Sequence, residues 1–352
     1  MEKTKVAVIG CGRIGSSQHI PSYAKNPLAD LKLLVDIRPE RATAQAEKYG
    51  VPNIATDFRV ILDDPEIEAV SICTPNDTHA PIAIACLEAG KHVLCEKPAS
   101  VSLELVKQMK AAADRSGRIL NIGVVNRFNT QVNQIKDMIE AGELGRLYHI
   151  YCSFRAHRSI PGLGGPFTTK AQSGGGVLID WGVHFLDLIF YCIGQPRVTT
   201  VSGATHSVLG KAMQDYAFID MWAGPPDYSG TYDVEDLVTG LVRTQGPTIN
   251  FNGAWAQNIG EPAMFIEFLG DKAGVKLKYG GDFTIYTAKN GVLYETSPRT
   301  KVADMFYEEI DGFLQAARAN QKNRAHIDNV LITSQVMEAI YLSAQLGKEV
   351  EL

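Results

Sequence analysis

Three absences narrow the classes of protein to which this chain can belong. It has no CxxC pair and its cysteines are scattered, which argues against a zinc ribbon or a disulfide framework and indicates buried thiols in a reducing compartment. Its net charge of -5 comes from both signs interspersed, without the basic patch that a nucleic acid backbone requires. No apolar run approaches the roughly 18 to 20 residues of a membrane span. The cysteines are Cys11, Cys73, Cys86, Cys95, Cys152 and Cys192.

The N-terminus, MEKTKVAVIGCG, passes from a short charged leader straight into a strand, which leaves no room for the apolar region of a signal peptide. We therefore expect a cytoplasmic protein with neither a membrane nor a nucleic acid as partner. The chain has 352 residues, 45% of them hydrophobic and 21% charged, which is more than one domain usually needs. Two domains are expected.

What the chain does contain begins with a glycine-rich turn. The strand KVAVI leads into Gly10-x-Gly12-x-x-Gly15 and then into a segment that can be helical. Such glycines let the backbone turn tightly and approach a pyrophosphate, while a helix N-terminus offers its NH groups to the phosphates. A second apolar strand, LKLLVD, ends at Asp36, about 20 residues after the last glycine, where a carboxylate can hold the adenosine ribose hydroxyls.

Asp36 favours NAD over NADP, because a carboxylate at this place repels a 2'-phosphate. Arg38 and Arg41 follow closely, and either can accept that phosphate, so NADP remains the alternative. A solvated acid at the end of a strand is the plainer interpretation of Asp36. The predicted cofactor contacts of this region are Gly10, Gly12, Arg13, Ile14, Gly15, Asp36 and Arg41.

Strands and helices alternate through residues 1–124, which predicts a parallel sheet wound on both faces, a dinucleotide-binding Rossmann domain. A helix is expected at DFRVILDDP among the others. Ligands of such sheets lie at the carboxyl ends of the strands. Two of those ends are chemically rich: TPNDTH, residues 74–79, and EKP, residues 96–98, where Pro98 ends the strand and a cis bond can precede it.

Residues 125–352 follow a different pattern, with one long helix and then strands that alternate with period two, as in TINFNGAWA. This alternation predicts a mainly antiparallel sheet with one covered face and one free face, the latter a surface for association into a dimer or tetramer. Two helices, near 304–319 and 326–346, close the chain. Strands are predicted near 197–208, 217–223, 234–243, 248–256, 263–269 and 274–279.

The polar, glycine-rich stretch 155–176 is either an active-site loop or a disordered excursion, and its direct lead into Asp180 favours the loop. This stretch contains candidate substrate contacts, for each of which a plain surface role is the alternative. Trp181, beside Asp180 in sequence, can offer an apolar wall, although it lies on a different face of its helix from Asp180. These candidates are Arg155, His157, Arg158, Lys170 and Trp181.

In the apolar helix DWGVHFLDLIFYCIG, the residues Asp180, His184 and Asp187 recur on one stripe, which must therefore face a cleft, a partner or a polar network. The plainer interpretations are a helix cap at Asp180 and a satisfied core histidine at His184. A metal site formed by Asp180, His184 and His157 is conceivable but disfavoured, since no thiolate cluster stands nearby.

With GxGxxG, Asp36, TPNDTH, EKP and the later GGGVLIDWGVHFLDL in this order, the chain resembles the Gfo/Idh/MocA oxidoreductases, the family of glucose-fructose oxidoreductase and inositol dehydrogenase. The resemblance spans essentially the whole chain. It implies a Rossmann domain followed by an α/β domain on a large, open, mainly antiparallel sheet, and homo-oligomers that form through that sheet. It also implies cofactor contacts at Thr74, Asn76, His79, Glu96, Lys97 and Asn126.

For the chemistry, the resemblance implies that Lys97 contacts both nicotinamide and substrate, and that Asp180 and His184 are the substrate-side acid and base. Histidine suits the base because imidazole exchanges a proton near neutral pH. The expected reaction is NAD-dependent oxidation of a secondary hydroxyl of a sugar, a glycoside (at the glucosyl 3-hydroxyl as a specific guess) or an inositol. The alternatives are a glycosidase that uses transient oxidation, an NADP-linked keto-sugar reductase and a non-catalytic sensor.

Overall fold

The computed structural model describes residues 2–352, and its first sheet is fully parallel. Its six strands lie in the order β3-β2-β1-β4-β5-β6. Strands are added on one side of β1 up to β3 and then on its other side from β4, so the order reverses between β1 and β4 as in a Rossmann sheet. The strand cores are buried on both faces, as expected when helices cover a parallel sheet. The strands are β1 (Thr4–Ile9), β2 (Ala29–Val35), β3 (Asn53–Ala55), β4 (Ala69–Ile72), β5 (His92–Glu96) and β6 (Leu120–Gly123).

Among the four helices around this sheet, one begins at a residue whose side chain caps it. Ser102 accepts a hydrogen bond from the Leu105 amide at the start of one helix, and Gly117, with φ 65°, ends it. The predicted helix at DFRVILDDP is wrong in extent: only a 3-10 turn forms at Phe58–Ile61, capped by Asp57. The helices are α1 (Ile20–Lys25), α2 (Pro39–Tyr49), α3 (Asn76–Glu88) and α4 (Leu103–Ser116).

The second sheet has nine strands in the order β14-β13-β12-β11-β7-β10-β9-β8-β15. Only the central pair β7 and β10 is parallel, so the mainly antiparallel sheet expected from the sequence is confirmed. Its strands are β7 (Leu147–Arg155), β8 (Val198–His206), β9 (Leu237–Thr244), β10 (Thr248–Ala254), β11 (Ala263–Gly270), β12 (Ala273–Lys278), β13 (Phe283–Lys289), β14 (Val292–Thr296) and β15 (Val350–Glu351).

Several strand predictions in this half are wrong or missing. Residues 217–223 form no strand, although they are apolar, because they lie in a long excursion between β8 and β9 where Ile219 is fully exposed. The predictions omitted β7, β13, β14 and the two-residue β15. β14 is exposed along its whole length, so it lacks the apolar alternation by which a half-buried strand is recognised.

One face of the nine-stranded sheet is covered by helices. Ile249 and Phe251 of β10, with Ile266 and Phe268 of β11, are fully buried in the core that the helices share. The covering helices are α5 (Thr130–Glu140) and α7 (Val183–Cys192), whereas the short α6 (Lys170–Ser173) is mostly exposed. All six cysteines are free and buried, as predicted.

The helical stretch Lys170–Cys192 is long and apolar enough to cross a membrane by length and composition, so the expectation that no run approaches that size is wrong. Of its most apolar window, 78% is buried inside the fold. Its apolar residues therefore serve as a core helix, packed against the sheet.

The chain divides into two compact units, and the boundary differs from the predicted domains 1–124 and 125–352. The first unit runs to Asn129 and also includes Ala303–Leu331, while the second comprises Thr130–Val302 and Ile332–Leu352. The difference arises because α8 (Met305–Ala319) buries Ile310 and Phe313 in the core of the first unit. The division then falls inside α9 (Ile327–Leu346). The sequence of an amphipathic helix shows that one of its faces is buried, but it does not show which sheet that face covers.

Candidate active site

The glycine-rich turn after β1 is shaped by close backbone contacts. Gly10 has φ 97°, and a Cβ there would lie 2.5 Å from the Cys73 carbonyl oxygen. A Cβ on Gly15 would lie 2.1 Å from the Gly10 carbonyl oxygen. Gly12 differs, since its nearest neighbour would be an Arg41 side-chain nitrogen at 3.9 Å. The protein itself therefore requires two of the glycines, and the third leaves its backbone open to a ligand.

Asp36 lies at the end of β2, next to this turn. Its Oδ2 accepts from the Cys11 amide at 2.8 Å and its Oδ1 from the Arg38 amide at 2.9 Å. Both oxygens keep further lone pairs, so the carboxylate is held in place and can still accept from a diol. The turn and the acid are the two features by which Rossmann sheets bind a dinucleotide, and the residues fit that ligand.

An open cleft of about 410 Å³ lies over the turn. It brings together the predicted contacts Arg13 and Arg41, whose guanidinium groups suit phosphate oxygens. Ile14 instead packs against the hydrophobic core. The cleft is lined by Cys11, Gly12, Arg13, Ser16, Glu40, Arg41, Ala44 and Gln45.

The strand end EKP rests on a buried polar network that the sequence analysis missed. Glu96 Oε1 lies 2.9 Å from His19 Nε2, and His19 Nδ1 lies 3.1 Å from Ser71 Oγ. Ser71 in turn shares a hydrogen bond of 2.8 Å with the Tyr23 hydroxyl. The signal that could have revealed His19 is its place four residues after Gly15, on the apolar face that leads into α1.

The charge of Glu96 is set by two opposing influences. Burial raises the pKa of this carboxyl, but the hydrogen bond and charge of His19, with the positive charge of Lys97, outweigh it and hold the pKa below its usual value. Glu96 Oε2 also accepts from the Lys97 amide at 3.0 Å. Glu96 therefore presents a fixed negative charge at the strand end, directly before the half-buried Lys97, and the Lys97–Pro98 bond is cis.

His79 contacts both of the polar segments that lie at the ends of strands β4 and β5, TPNDTH and EKP. Its Nδ1 lies 2.8 Å from the Pro98 carbonyl oxygen and its Nε2 lies 2.9 Å from the Thr74 carbonyl oxygen. Burial lowers its pKa, although both carbonyl contacts favour the protonated form. With both ring nitrogens occupied, His79 holds the backbone of the TPNDTH and EKP segments in place. Asn76 begins α3, and Asn126 is buried in a 3-10 turn after β6.

In the second unit, Asp180 lies in a π-helical turn, Leu178–Gly182, that continues into α7. The turn begins before Asp180, so this residue is not a helix cap. Asp180 and His184 are both half-buried, whereas Asp187 is buried and accepts from Thr333 Oγ1 at 3.2 Å. The predicted stripe thus separates into two partly accessible residues and one that bonds within the core.

Two aromatic side chains that the sequence analysis did not select contact this pair. The indole Nε1 of the fully buried Trp255 donates to Asp180 Oδ2 at 3.3 Å. The ring of Tyr279 lies with its centroid 6.4 Å from that of His184 and stacks on Phe185 at 4.3 Å. Asp180 therefore has its carboxylate oriented by a rigid donor, which suits a group that must grip a substrate hydroxyl.

The predicted substrate contacts of the loop are largely engaged with the protein. Arg155 Nε donates to Ser153 Oγ at 3.2 Å, and His157 Nδ1 lies 2.9 Å from the Gln257 carbonyl oxygen. Arg158 donates to that same carbonyl at 2.9 Å. The Lys170 ammonium lies over the Tyr341 ring, and Trp181 packs partly buried against the core. These bonds order the stretch 155–176 as a loop.

In the first unit, Gly12, Arg13 and Arg41 line one cleft at the glycine turn, and Asp36 bonds the amide of Cys11 in that turn. In the second unit, Asp180 and His184 lie four residues apart in one helical stretch. The roles of the other predicted cofactor contacts stay predictions. Across residues 2–352, no group of three or more His, Cys, Asp or Glu side chains is arranged to hold a metal ion. His157, which was considered as a third ligand, is exposed and hydrogen-bonded to Gln257.

Two family models match most of the chain. Residues 4–124 match the model described as an oxidoreductase family with an NAD-binding Rossmann fold, GFO_IDH_MocA. Residues 132–276 match the GFO/IDH/MocA C-terminal domain.

Curated relatives and solved structures agree with these models. D-glucoside 3-dehydrogenase of Escherichia coli (strain K12) is 32% identical over 352 residues, covering 99% of this chain and 97% of that protein. Myo-inositol 2-dehydrogenase of Thermotoga maritima is 30% identical over 191 residues, covering 54% of this chain and 55% of that protein. A levoglucosan dehydrogenase solved with NADH and levoglucosan shares the fold, with a TM-score of 0.86 and 22% identity over 99% of both chains.

Proposed function

Because this chain belongs to the Gfo/Idh/MocA oxidoreductases, we propose that it oxidises the 3-hydroxyl of a glucoside to a ketone, with Lys97, Asp180 and His184 at the reacting centre. The observation that carries this proposal is the 32% identity to D-glucoside 3-dehydrogenase over 99% of the chain. The coarser assignment is already established: the family is one of NAD-binding sugar and polyol dehydrogenases.

The residues of the first unit would hold NAD by backbone and carboxylate contacts. The turn at Gly10, Gly12 and Gly15 would receive the phosphates, and Asp36 would accept from the adenosine ribose hydroxyls. Bound NAD would supply the carbon that takes up the hydride from the substrate.

The chain's own polar residues would manage the proton and the orientation of the sugar. His184 would accept the proton from the reacting hydroxyl, and Lys97 would donate a hydrogen bond to the same oxygen. Asp180, oriented by Trp255, would accept from a neighbouring hydroxyl and so align the ring. Several adjacent hydroxyls need several fixed polar groups, which favours sugars and polyols over simple alcohols.

The proposed function is tested by offering methyl and aryl glucosides, free glucose and inositols with NAD, and measuring NADH by absorbance. We expect net NADH with glucosides and deuterium transfer to NADH from glucoside labelled at carbon 3. NADH from inositols alone would show an inositol dehydrogenase, as the similarity to myo-inositol 2-dehydrogenase over part of the chain would favour. Glycoside cleavage without net NADH would show a hydrolase, and no reaction with any of them would favour a sensor.

The preference for NAD is tested with Asp36→Asn. This change removes the charge that repels a 2'-phosphate, while Arg13 and Arg41 remain in the cleft. We expect NADH affinity to fall about tenfold and the ratio of NADH to NADPH affinity to shift toward NADPH. Both affinities are measured by fluorescence titration.

Glu40→Gln is the matched control, since Glu40 lines the same cleft without holding the turn. Its NADH affinity should stay close to that of the wild type. A ratio that shifts equally in both variants would contradict the role of Asp36 and favour the NADP-linked reductase.

Association into a homodimer or homotetramer through the C-terminal sheet, and a cytoplasmic location, stay predictions.

A further inference from the structure

A single buried residue binds the start of the helix that carries Asp180 and His184. Glu235 Oε2 accepts from the Gly176 amide at 2.9 Å, and its Oε1 accepts from the Leu178 amide at 3.0 Å. The amide between them, that of Val177, donates to the Glu235 main-chain carbonyl at 3.2 Å. Three successive amides at the beginning of this helix, which have no partner within the helix itself, are thus all bonded to one residue.

The Tyr341 hydroxyl completes this arrangement by donating to Glu235 Oε1 at 2.9 Å. Glu235 is 7% exposed, and burial raises its pKa against the opposing influence of the Leu178, Gly176 and Tyr341 hydrogen bonds. A buried carboxylate with these three donors is held rigidly, because moving it would leave polar groups unbonded away from water.

The glycine run before the helix is explained by the same contacts. A Cβ on Gly176 would lie 1.9 Å from the Glu235 carbonyl oxygen, and a Cβ on Gly175 would lie 2.0 Å from the Tyr341 hydroxyl. The backbone can approach Glu235 and Tyr341 this closely only because Gly175 and Gly176 have no side chains. The glycines therefore serve this attachment, and not only the flexibility of the loop before them.

The attachment is one helical turn away from the proposed reacting centre. The Asp180 amide donates to the Gly176 carbonyl oxygen at 3.0 Å, so a shift of Gly176 moves Asp180 with it. The next residue after Glu235 holds the other side of Asp180: the Asp236 carbonyl oxygen accepts from the Trp255 amide at 2.9 Å, and the Trp255 indole bonds Asp180. Residues 235–236 thus fix both the backbone and the side-chain partner of Asp180.

We propose that Glu235, together with Tyr341, is a positioning residue that sets the place of Asp180 and His184 through the amides of Gly176 and Leu178. This inference rests on the proposed function of Asp180 and His184. Glu235 does not touch the substrate in this account and acts only through the helix that it holds.

The inference is tested with Glu235→Gln. The side-chain NH2 group of the glutamine would face a main-chain N–H in place of an accepting oxygen, so one of the two hydrogen bonds from the Gly176 and Leu178 amides is lost. We expect kcat to fall about tenfold, with a smaller change in KM and an unchanged Kd for NADH. Backbone hydrogen exchange should become faster in residues 174–184. Exchange needs no substrate, so failure of the proposed function with glucosides leaves this readout intact.

Asp271→Asn is the matched control. Its carboxylate also accepts from a backbone amide, that of Arg146 at 2.9 Å, but it lies in the turn between β11 and β12. We expect Asp271→Asn to leave both kcat and hydrogen exchange in residues 174–184 close to the wild type. Equal effects of the two variants would overturn the inference, since the loss would then come from any carboxylate that binds a backbone amide.

Tyr341→Phe keeps the inference testable if Glu235→Gln does not fold. It removes one donor and should lower kcat about threefold, with Glu235→Asp restoring part of the activity that Glu235→Gln loses. The Glu235→Gln and Tyr341→Phe effects should be less than additive, because both act on one carboxylate. Full activity and unchanged exchange in both single variants would show that the helix start is held without them.

Discussion

Lys97→Met is expected to lower kcat by about three orders of magnitude, which is ~4 kcal/mol of transition-state stabilisation. Methionine keeps much of the length and apolar stem of lysine but can neither donate to the reacting oxygen nor carry charge. Lys97 follows directly after the buried Glu96, whose carboxylate accepts from its amide, so the backbone at this point should remain in place. Kd for NADH should rise by far less than kcat falls, because only the nicotinamide contact of Lys97 is lost while the glycine turn and Asp36 are untouched.

Lys91→Met is the matched control for this prediction. Lys91 is a buried lysine immediately before the other end of the same strand, where its ammonium donates to the Asp64 carbonyl oxygen. Its loss should lower the free energy of unfolding and leave kcat close to the wild type. Steady-state kinetics and urea unfolding of both variants separate the two effects. A Lys97→Met enzyme that still turns over glucoside at a comparable rate would remove Lys97 from the mechanism.

His184→Ala is expected to lower kcat by about two to three orders of magnitude, because the reacting hydroxyl loses its proton acceptor. Added imidazole should restore part of the activity, since the space left beside Tyr279 is that of the missing ring. The fall of wild-type kcat/KM toward acidic pH, where a histidine base is protonated, should flatten in the variant. The measurements are a pH profile and an imidazole titration at constant pH.

His149→Gln tests whether the effect belongs to His184 or to any histidine of the second unit. His149 lies on β7 and its Nδ1 is 2.6 Å from Thr248 Oγ1, so its ring has a structural partner. Its replacement should keep both kcat and the pH profile. If His184→Ala kept the wild-type profile, another group would have to take the proton.

The first half of the fold was predictable because its information is local. Short apolar runs of parallel-strand length alternate with helices, and the cap at Ser102 and the turn at Gly10 lie beside the elements that they start or end. The second half was less so. β14 is a strand although it is exposed along its length, and the apolar segment around Ile219 is not a strand. The pattern of hydrophobic residues therefore missed one strand and predicted another that does not form.

The candidate site shows the same contrast. Motifs marked Lys97, Asp180 and His184, but the stripe that joined Asp187 to the last two left open whether it faces a cleft or a polar network. Asp187 is buried and accepts from Thr333, which is a polar contact in the core. Periodicity shows which residues lie on the same face of a helix. It does not show which part of that face lines a cleft and which part is buried in the core.

By itself, the sequence determined the parallel dinucleotide-binding sheet, the family and the candidate reacting residues, since each depends on spacing between near neighbours. The tertiary structure alone decided what holds those residues. His19 meets Glu96 across 77 positions, Trp255 meets Asp180 across 75, and Glu235 meets Gly176 across 59. Such pairs are made when separate strands and helices pack, and a hydrogen bond between distant residues leaves no pattern in the local sequence of either partner.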